Sequence, residues 1–132
     1  MNPAAQAATE QISRLARGHP GLRLLVLFGS RARGDGTERS DWDLGYLATP
    51  GFDGPALLAD LVIALGTDRV DLVDLGRAGA QIRFRAAAEG CPLFASEREA
   101  FSRFQHEAVT FWCDAEPVIR AGYAHVLSSL RR

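Results

Sequence analysis

Residues 22 to 28 (LRLLVLF) are apolar at every position but one, between Gly21 and Gly29. A run so short and so uniformly apolar predicts a strand covered on both faces. Residues 42 to 48 (WDLGYLA) predict a second strand, and residues 69 to 75 (RVDLVDL) a third, apolar and β-branched apart from its acids. Before the first strand, Ala5, Ala8, Ile12, Leu15 and Ala16 recur at helical spacing. That pattern predicts a helix over residues 3 to 17, with Asn2 as its cap, Pro3 in its first turn, and Gly18 and Pro20 ending it. Residues 55 to 65 predict a second helix, opened near Pro55 and closed by Gly66. Residues 78 to 89 predict a third, with Gly90 at its end, and Pro92-Leu93-Phe94-Ala95 suits a short edge strand.

Ser96 and Glu99 have the spacing of a capping box and are expected to open the final helical segment. Its apolar positions include Phe101, Phe104, Ala108, Phe111, Trp112, Ala115, Ile119, Val126 and Leu130. Pro117 interrupts it, which predicts a kink or two abutting helices. Strands interleaved with helices place the chain in the α/β (α+β) class, a small sheet packed by helices. The length of 132 residues fits one domain, residues 1–132, with a core over 20–95 and a C-terminal helical segment over 96–132.

Charge narrows the function. The net charge of -1 argues against holding nucleic acid by bulk electrostatics, so no direct nucleic-acid binding is expected. All fifteen basic residues are arginine, so a phosphate loop built on lysine is excluded. Arginine is also the better bidentate partner for phosphate. Cys91 and Cys113 lack the spacing of a metal site or disulfide framework and are expected to be buried thiols. No signal peptide precedes the first helix and no apolar run approaches a membrane span, so a cytoplasmic protein is expected.

The chemistry concentrates between residues 24 and 49. The first strand ends in Gly29-Ser30, ten residues follow, and Asp41-Trp42-Asp43 opens the second strand. Residues two apart on a strand share a face, so Asp41 and Asp43 present their carboxylates together, with Trp42 and Leu44 packing opposite. Two such acids repel, and a divalent cation relieves them most directly. Magnesium takes one or two carboxylates and fills its shell with phosphate and water; manganese also suits oxygen ligands. Asp71 on the third strand would complete a site for two metals about 3.5–4 Å apart. Asp74 competes for that role; Asp71 is preferred because it lies earlier within the apolar run and is the costlier acid to bury without a partner. Gly29 permits close backbone approach, and Ser30 offers a hydroxyl and, if a short helix starts there, free N–H groups for a phosphate. Arg31 and Arg33 add charge for a triphosphate, or else pair with Asp35, Glu38 or Asp41.

Gly29-Ser30, ten residues and Asp41-Trp42-Asp43, together with GSRARG, SDWDL and VDLVDL, resemble the minimal nucleotidyltransferase family of the polymerase β-like superfamily. The similarity continues through RFRAAAEGCPLFA and covers nearly the whole chain. It implies the polymerase β-like nucleotidyltransferase fold with a mixed sheet, and Asp41, Asp43 and Asp71 as catalytic, metal-holding carboxylates. It also implies Mg2+ as cofactor, with Mn2+ an alternative, and ATP as substrate. Within the superfamily the chain is similar to MntA-type adenylyltransferase antitoxins. These transfer AMP from ATP to a tyrosine of a HEPN-domain (HepT-type) ribonuclease toxin, with which they form a hetero-oligomer. No second domain is evident, so the acceptor is expected to arrive on another molecule. Two rival functions stay open: a binding-only antitoxin acting by occlusion, and a stand-alone transferase acting on a small molecule or an RNA end. His19, His106 and His125 are too dispersed in sequence to suggest a ligand set, and Tyr46 and Tyr123 are expected to pack.

Overall fold

The apolar run at residues 22 to 28 becomes β1 (Leu22–Phe28), an interior strand buried at every position except Arg23 in the computed structural model, which describes residues 3–130. The Asn2 cap and the side chains of Tyr123 and Leu127 lie outside the described residues. β1 pairs antiparallel with β2 (Trp42–Ala48) on one side and with β4 (Cys91–Ala95) on the other. β3 (Val70–Asp74) lies parallel to β2, so the mixed sheet runs β3-β2-β1-β4. Parallel neighbours need a long crossover; here it is a helix, α3 (Gly54–Leu65). The remaining helices are α1 (Pro3–Ala16), α2 (Ser30–Arg33), α4 (Ala80–Glu89) and the long α5 (Ala100–Leu130).

Alternation along the strands sorts the apolar side chains into two cores. On one face, Leu25, Leu27, Trp42, Leu44 and Val70 meet Ile12 and Ala16 of α1 and Leu57 and Leu61 of α3. On the other, Leu24, Val26, Phe28 and Leu75 meet Ala86 and Ala87 of α4 and Phe104 and Ala108 of α5. The sheet is thus the middle of three layers. At its β4 edge, Ser13 of α1 donates to the Leu93 carbonyl at 2.6 Å, covering an acceptor that a further strand would use.

Helix ends explain both the agreements and the exceptions. Gly66 closes α3 in the left-handed conformation, its N–H on the Val62 carbonyl. The start of α3 is fixed by Asp53, whose side chain accepts from the Ala56 N–H at 3.0 Å. The capping box expected at Ser96 and Glu99 does not form. Ser96 donates its N–H to the Arg23 carbonyl at 2.9 Å, prolonging the sheet contact, and α5 starts only at Ala100. Nor are there two abutting helices at Pro117: α5 is one unbroken helix of 31 residues. A proline deletes one backbone bond, and long helical stretches on each side carry the segment through.

The cysteines also depart from expectation, since both are exposed. Cys91 begins an edge strand, and Cys113 lies on α5 beyond the core-lining Phe104 and Ala108. The aromatic positions of α5 divide the same way. Phe104 is buried and Trp112 stacks on Phe84 at 5.2 Å, whereas Phe111 is 41% exposed and lies under the Arg83 guanidinium.

Leu25, fully buried on the α1–α3 face and remote from the acids, measures the sheet packing. Leu25→Ala is expected to lower the unfolding free energy by about 2–5 kcal/mol in urea denaturation; a loss below about 1 kcal/mol would contradict a tightly packed centre.

Candidate active site

β1 ends at Phe28, and the chain turns sharply at Gly29 into α2. Gly29 has φ 77° and ψ −159°, a region open essentially to glycine alone. Space imposes the same requirement, since a Cβ at Gly29 would overlap Asp43 Oδ2. The turn is therefore shaped around that carboxylate. Its carbonyl accepts from the N–H groups of Ala32 and Arg33, both at 3.1 Å, which starts the short helix at Ser30. The first N–H groups of a helix have no partner within it, and the Ser30 hydroxyl makes no hydrogen bond among the described residues.

The intervening loop is laced by arginines. Arg31 donates through Nε to the Ser40 carbonyl at 3.0 Å and through Nη2 to the Glu38 carbonyl at 3.1 Å, while its guanidinium lies 4.2 Å from the Trp42 ring centre. Arg69 reaches over from the start of β3 to the Arg39 carbonyl at 2.7 Å. Thr37 and Ser40 close the loop on itself, the Thr37 N–H donating to Ser40 Oγ at 2.8 Å. Arg31 thus braces the loop that leads into β2. Arg33 points along α2 and makes ion pairs with Asp35 at 3.3 Å and Glu89 at 3.1 Å.

Sheet register brings the acids together. Asp43 stands opposite Phe28 on β1 and opposite Asp71 on β3. Trp42 and Leu44 point into the α1–α3 core, which puts Asp43 on the α4 side. Burial, then the Asp71 carboxylate, raises the Asp43 pKa above its ordinary value; Arg85 opposes the shift, Asp41 adds to it and Arg33 opposes it. All three candidate carboxylates therefore bear on one point. Asp74 is engaged elsewhere: its Oδ1 accepts from the Gly76 N–H at 2.9 Å, and Arg77 lies 3.8 Å from its other oxygen. A small cavity of about 160 Å³ between the sheet and α5, lined by Leu47, Leu75, Arg83 and Glu107 among others, contains none of these acids.

A hard divalent cation fits this donor set. It consists only of carboxylate oxygens, those of Asp43 held toward the protonated form first by burial and then by Asp71. Among the described residues no three acid, histidine or cysteine side chains close around an ion unaided. Magnesium takes only one or two carboxylates and fills the rest of its shell with phosphate and water. The histidines take no part: His19 pairs with Asp60 at 2.7 Å, and His106 and His125 are exposed. Tyr46 packs on Phe52 at 5.4 Å. The residue that sequence reasoning missed is Arg85. It sits on α4, more than forty residues from Asp43, and no spacing rule connects the two.

The raised Asp43 pKa has a consequence for stability. A folded carboxyl that keeps its proton to higher pH than the unfolded chain contributes stability present below the ordinary value and lost as pH rises through the folded one. In metal-free buffer, Asp43→Asn is therefore expected to melt at a higher temperature than wild type at pH 7, the gap narrowing toward about pH 4. A lower melting temperature at pH 7 would show that burial and the neighbouring acids do not disfavour the charged Asp43.

Comparison with known proteins places this geometry. The family model described as polymerase beta, nucleotidyltransferase matches residues 10–99. The chain is 26% identical over 132 residues to protein adenylyltransferase MntA of Aphanizomenon flos-aquae (strain 2012/KM1/D3), a match covering 90% of this chain and 87% of that protein. It is 28% identical, with a TM-score of 0.77, to a chain in a crystal structure of a toxin-antitoxin with AMP-PNP, covering 90% of this chain and 98% of the other. A chain in the structure of the tri-AMPylated Shewanella oneidensis HEPN toxin in complex with MNT antitoxin is 27% identical, with a TM-score of 0.75, covering 93% and 98%. The family match runs through all four strands, the Gly29-Ser30 turn and the three carboxylates, and the chain belongs to the polymerase β nucleotidyltransferases.

Proposed function

We propose that this chain is an antitoxin that transfers AMP from ATP to a tyrosine hydroxyl of a partner HEPN ribonuclease toxin, and so silences it. The observation that carries the reading is the seating of Asp43 between the Gly29 turn and Asp71. Similarity to an adenylyltransferase and to chains of toxin–antitoxin structures supports the choice of donor and partner. Residues 1–132 act as one nucleotidyltransferase domain, whose core over 20–95 carries the chemistry. The helical segment over 96–132 suits partner contact: Val118 is 73% exposed and Leu130 77%, an apolar surface that protein association would cover.

In this reading Gly29 and Ser30 receive the β- and γ-phosphates, while Arg33, expected from the sequence to add charge there, is instead taken up by its ion pairs with Asp35 and Glu89. Arg31 acts one step removed, by holding the loop that delivers Asp41 and Asp43. Asp41, Asp43 and Asp71 would hold Mg2+ or Mn2+, which supplies charge compensation on the phosphates and activation of the acceptor hydroxyl. The acceptor oxygen forms a bond to the α-phosphorus as the bond from that phosphorus to the pyrophosphate oxygen breaks, and pyrophosphate leaves. The hydroxyl proton passes to Asp71, the most exposed carboxylate on β3. The protein's contribution is position and preorganised charge, so no serine–histidine pair is required.

Intact-mass measurement of a co-expressed HEPN partner tests the proposal. Gains of AMP units on tyrosine are expected with the wild-type chain. Asp41→Ala or Asp43→Ala is expected to cut the modified fraction at least about a hundredfold. Normal modification by either variant would remove these acids from the chemistry. Full neutralisation by the double variant, with no mass gain on the toxin, would favour occlusion instead.

A further inference from the structure

We propose that Arg85 is a phosphate-binding residue of the nucleotide site, its guanidinium engaging the triphosphate of the bound nucleotide and then the departing pyrophosphate. The inference rests on the nucleotidyl-transfer reading above and adds a residue to it.

Placement comes from α4. Glu89, near the end of this helix, accepts from Arg33 Nη1 at 3.1 Å and so ties α4 to α2. Arg85 lies one turn earlier on the same side of α4 as Glu89. Its guanidinium carbon is 5.7 Å from the centre of the Phe28 ring. Phe28 immediately precedes Gly29 and is the register partner of Asp43. Arg85 therefore stands over the seam between the turn and the acids.

Availability separates Arg85 from the other arginines around the site. Arg31 is occupied by the Glu38 and Ser40 carbonyls, Arg33 by Asp35 and Glu89, and Arg69 by the Arg39 carbonyl. Among the described residues the Arg85 guanidinium makes no hydrogen bond and no ion pair. An aromatic face orients the guanidinium while leaving its N–H groups free at the rim. In a chain without lysine, arginine is the permanently cationic side chain available to phosphate, and its fork matches paired phosphate oxygens.

Binding of ATP, inorganic pyrophosphate and adenosine to the full chain, measured by calorimetry with Mg2+ and no partner present, tests this directly. Arg85→Ala is expected to weaken ATP and pyrophosphate by about ten- to a hundredfold and to leave adenosine unchanged. Arg85→Lys, which keeps the charge but loses the fork, is expected to fall between the two. Unchanged affinity for ATP and pyrophosphate in Arg85→Ala, or an equal loss for adenosine, would overturn the proposal; so would a wild-type chain that binds neither ATP nor pyrophosphate. Because no toxin is present, these outcomes are separate from the fate of the toxin-directed reading, which fails if the chain binds ATP normally yet modifies no partner.

Discussion

The structure turns on an electrostatic conflict held in place by hydrogen-bonded register. Parallel pairing of β2 with β3 sets Asp43 beside the exposed Asp71, and partial burial strips the Asp43 carboxylate of some of its solvent. Register cannot slip by one residue to separate the acids, because that would send Trp42 and Leu44 out of the α1–α3 core. The sheet thus spends hydrophobic burial to hold two like charges together. In the proposed reading, a cation carrying a polyphosphate would resolve that conflict.

Everything around the acids serves their placement. Gly29 leaves the space that Asp43 occupies, and its left-handed φ directs the chain into α2. Arg31 and Arg69 fasten the loop through backbone carbonyls, and the Ser40 hydroxyl closes it on the Thr37 N–H. Besides the Ser30 hydroxyl, the side-chain donor proposed for an anionic substrate is Arg85 on α4, which the Arg33–Glu89 pair ties to α2.

Much of this is legible in the sequence, for identifiable reasons. Residues 22 to 28 are a buried strand because their apolar run admits no solvent face, and the glycine at 66 ends α3 because only a left-handed residue turns there without strain. The Gly29-Ser30 and Asp41-Trp42-Asp43 pair is readable because a strand end and a strand start fix their directions. The difference between Asp71 and Asp74 needs the sheet register and the Gly76 turn. Asp53 was discoverable, being three residues before the N–H it caps. Ser96 misleads because capping boxes and strand exits share residue types, and here the Arg23 carbonyl claims its N–H. Cys91 and Cys113 mislead because apolar neighbours in sequence do not reveal an edge strand or a helix that outruns its core. Arg85 is invisible until α4 folds over Phe28.

The central claim is that cation and nucleotide together relieve the Asp43–Asp71 conflict. Thermal unfolding of the full chain with Mg2+ alone, a non-hydrolysable ATP analogue alone, and both together measures that coupling. The account predicts a rise in melting temperature with both that exceeds the sum of the separate rises, and loss of that excess in Asp43→Asn. Additive rises in the wild-type chain, or the same excess in Asp43→Asn, would contradict it.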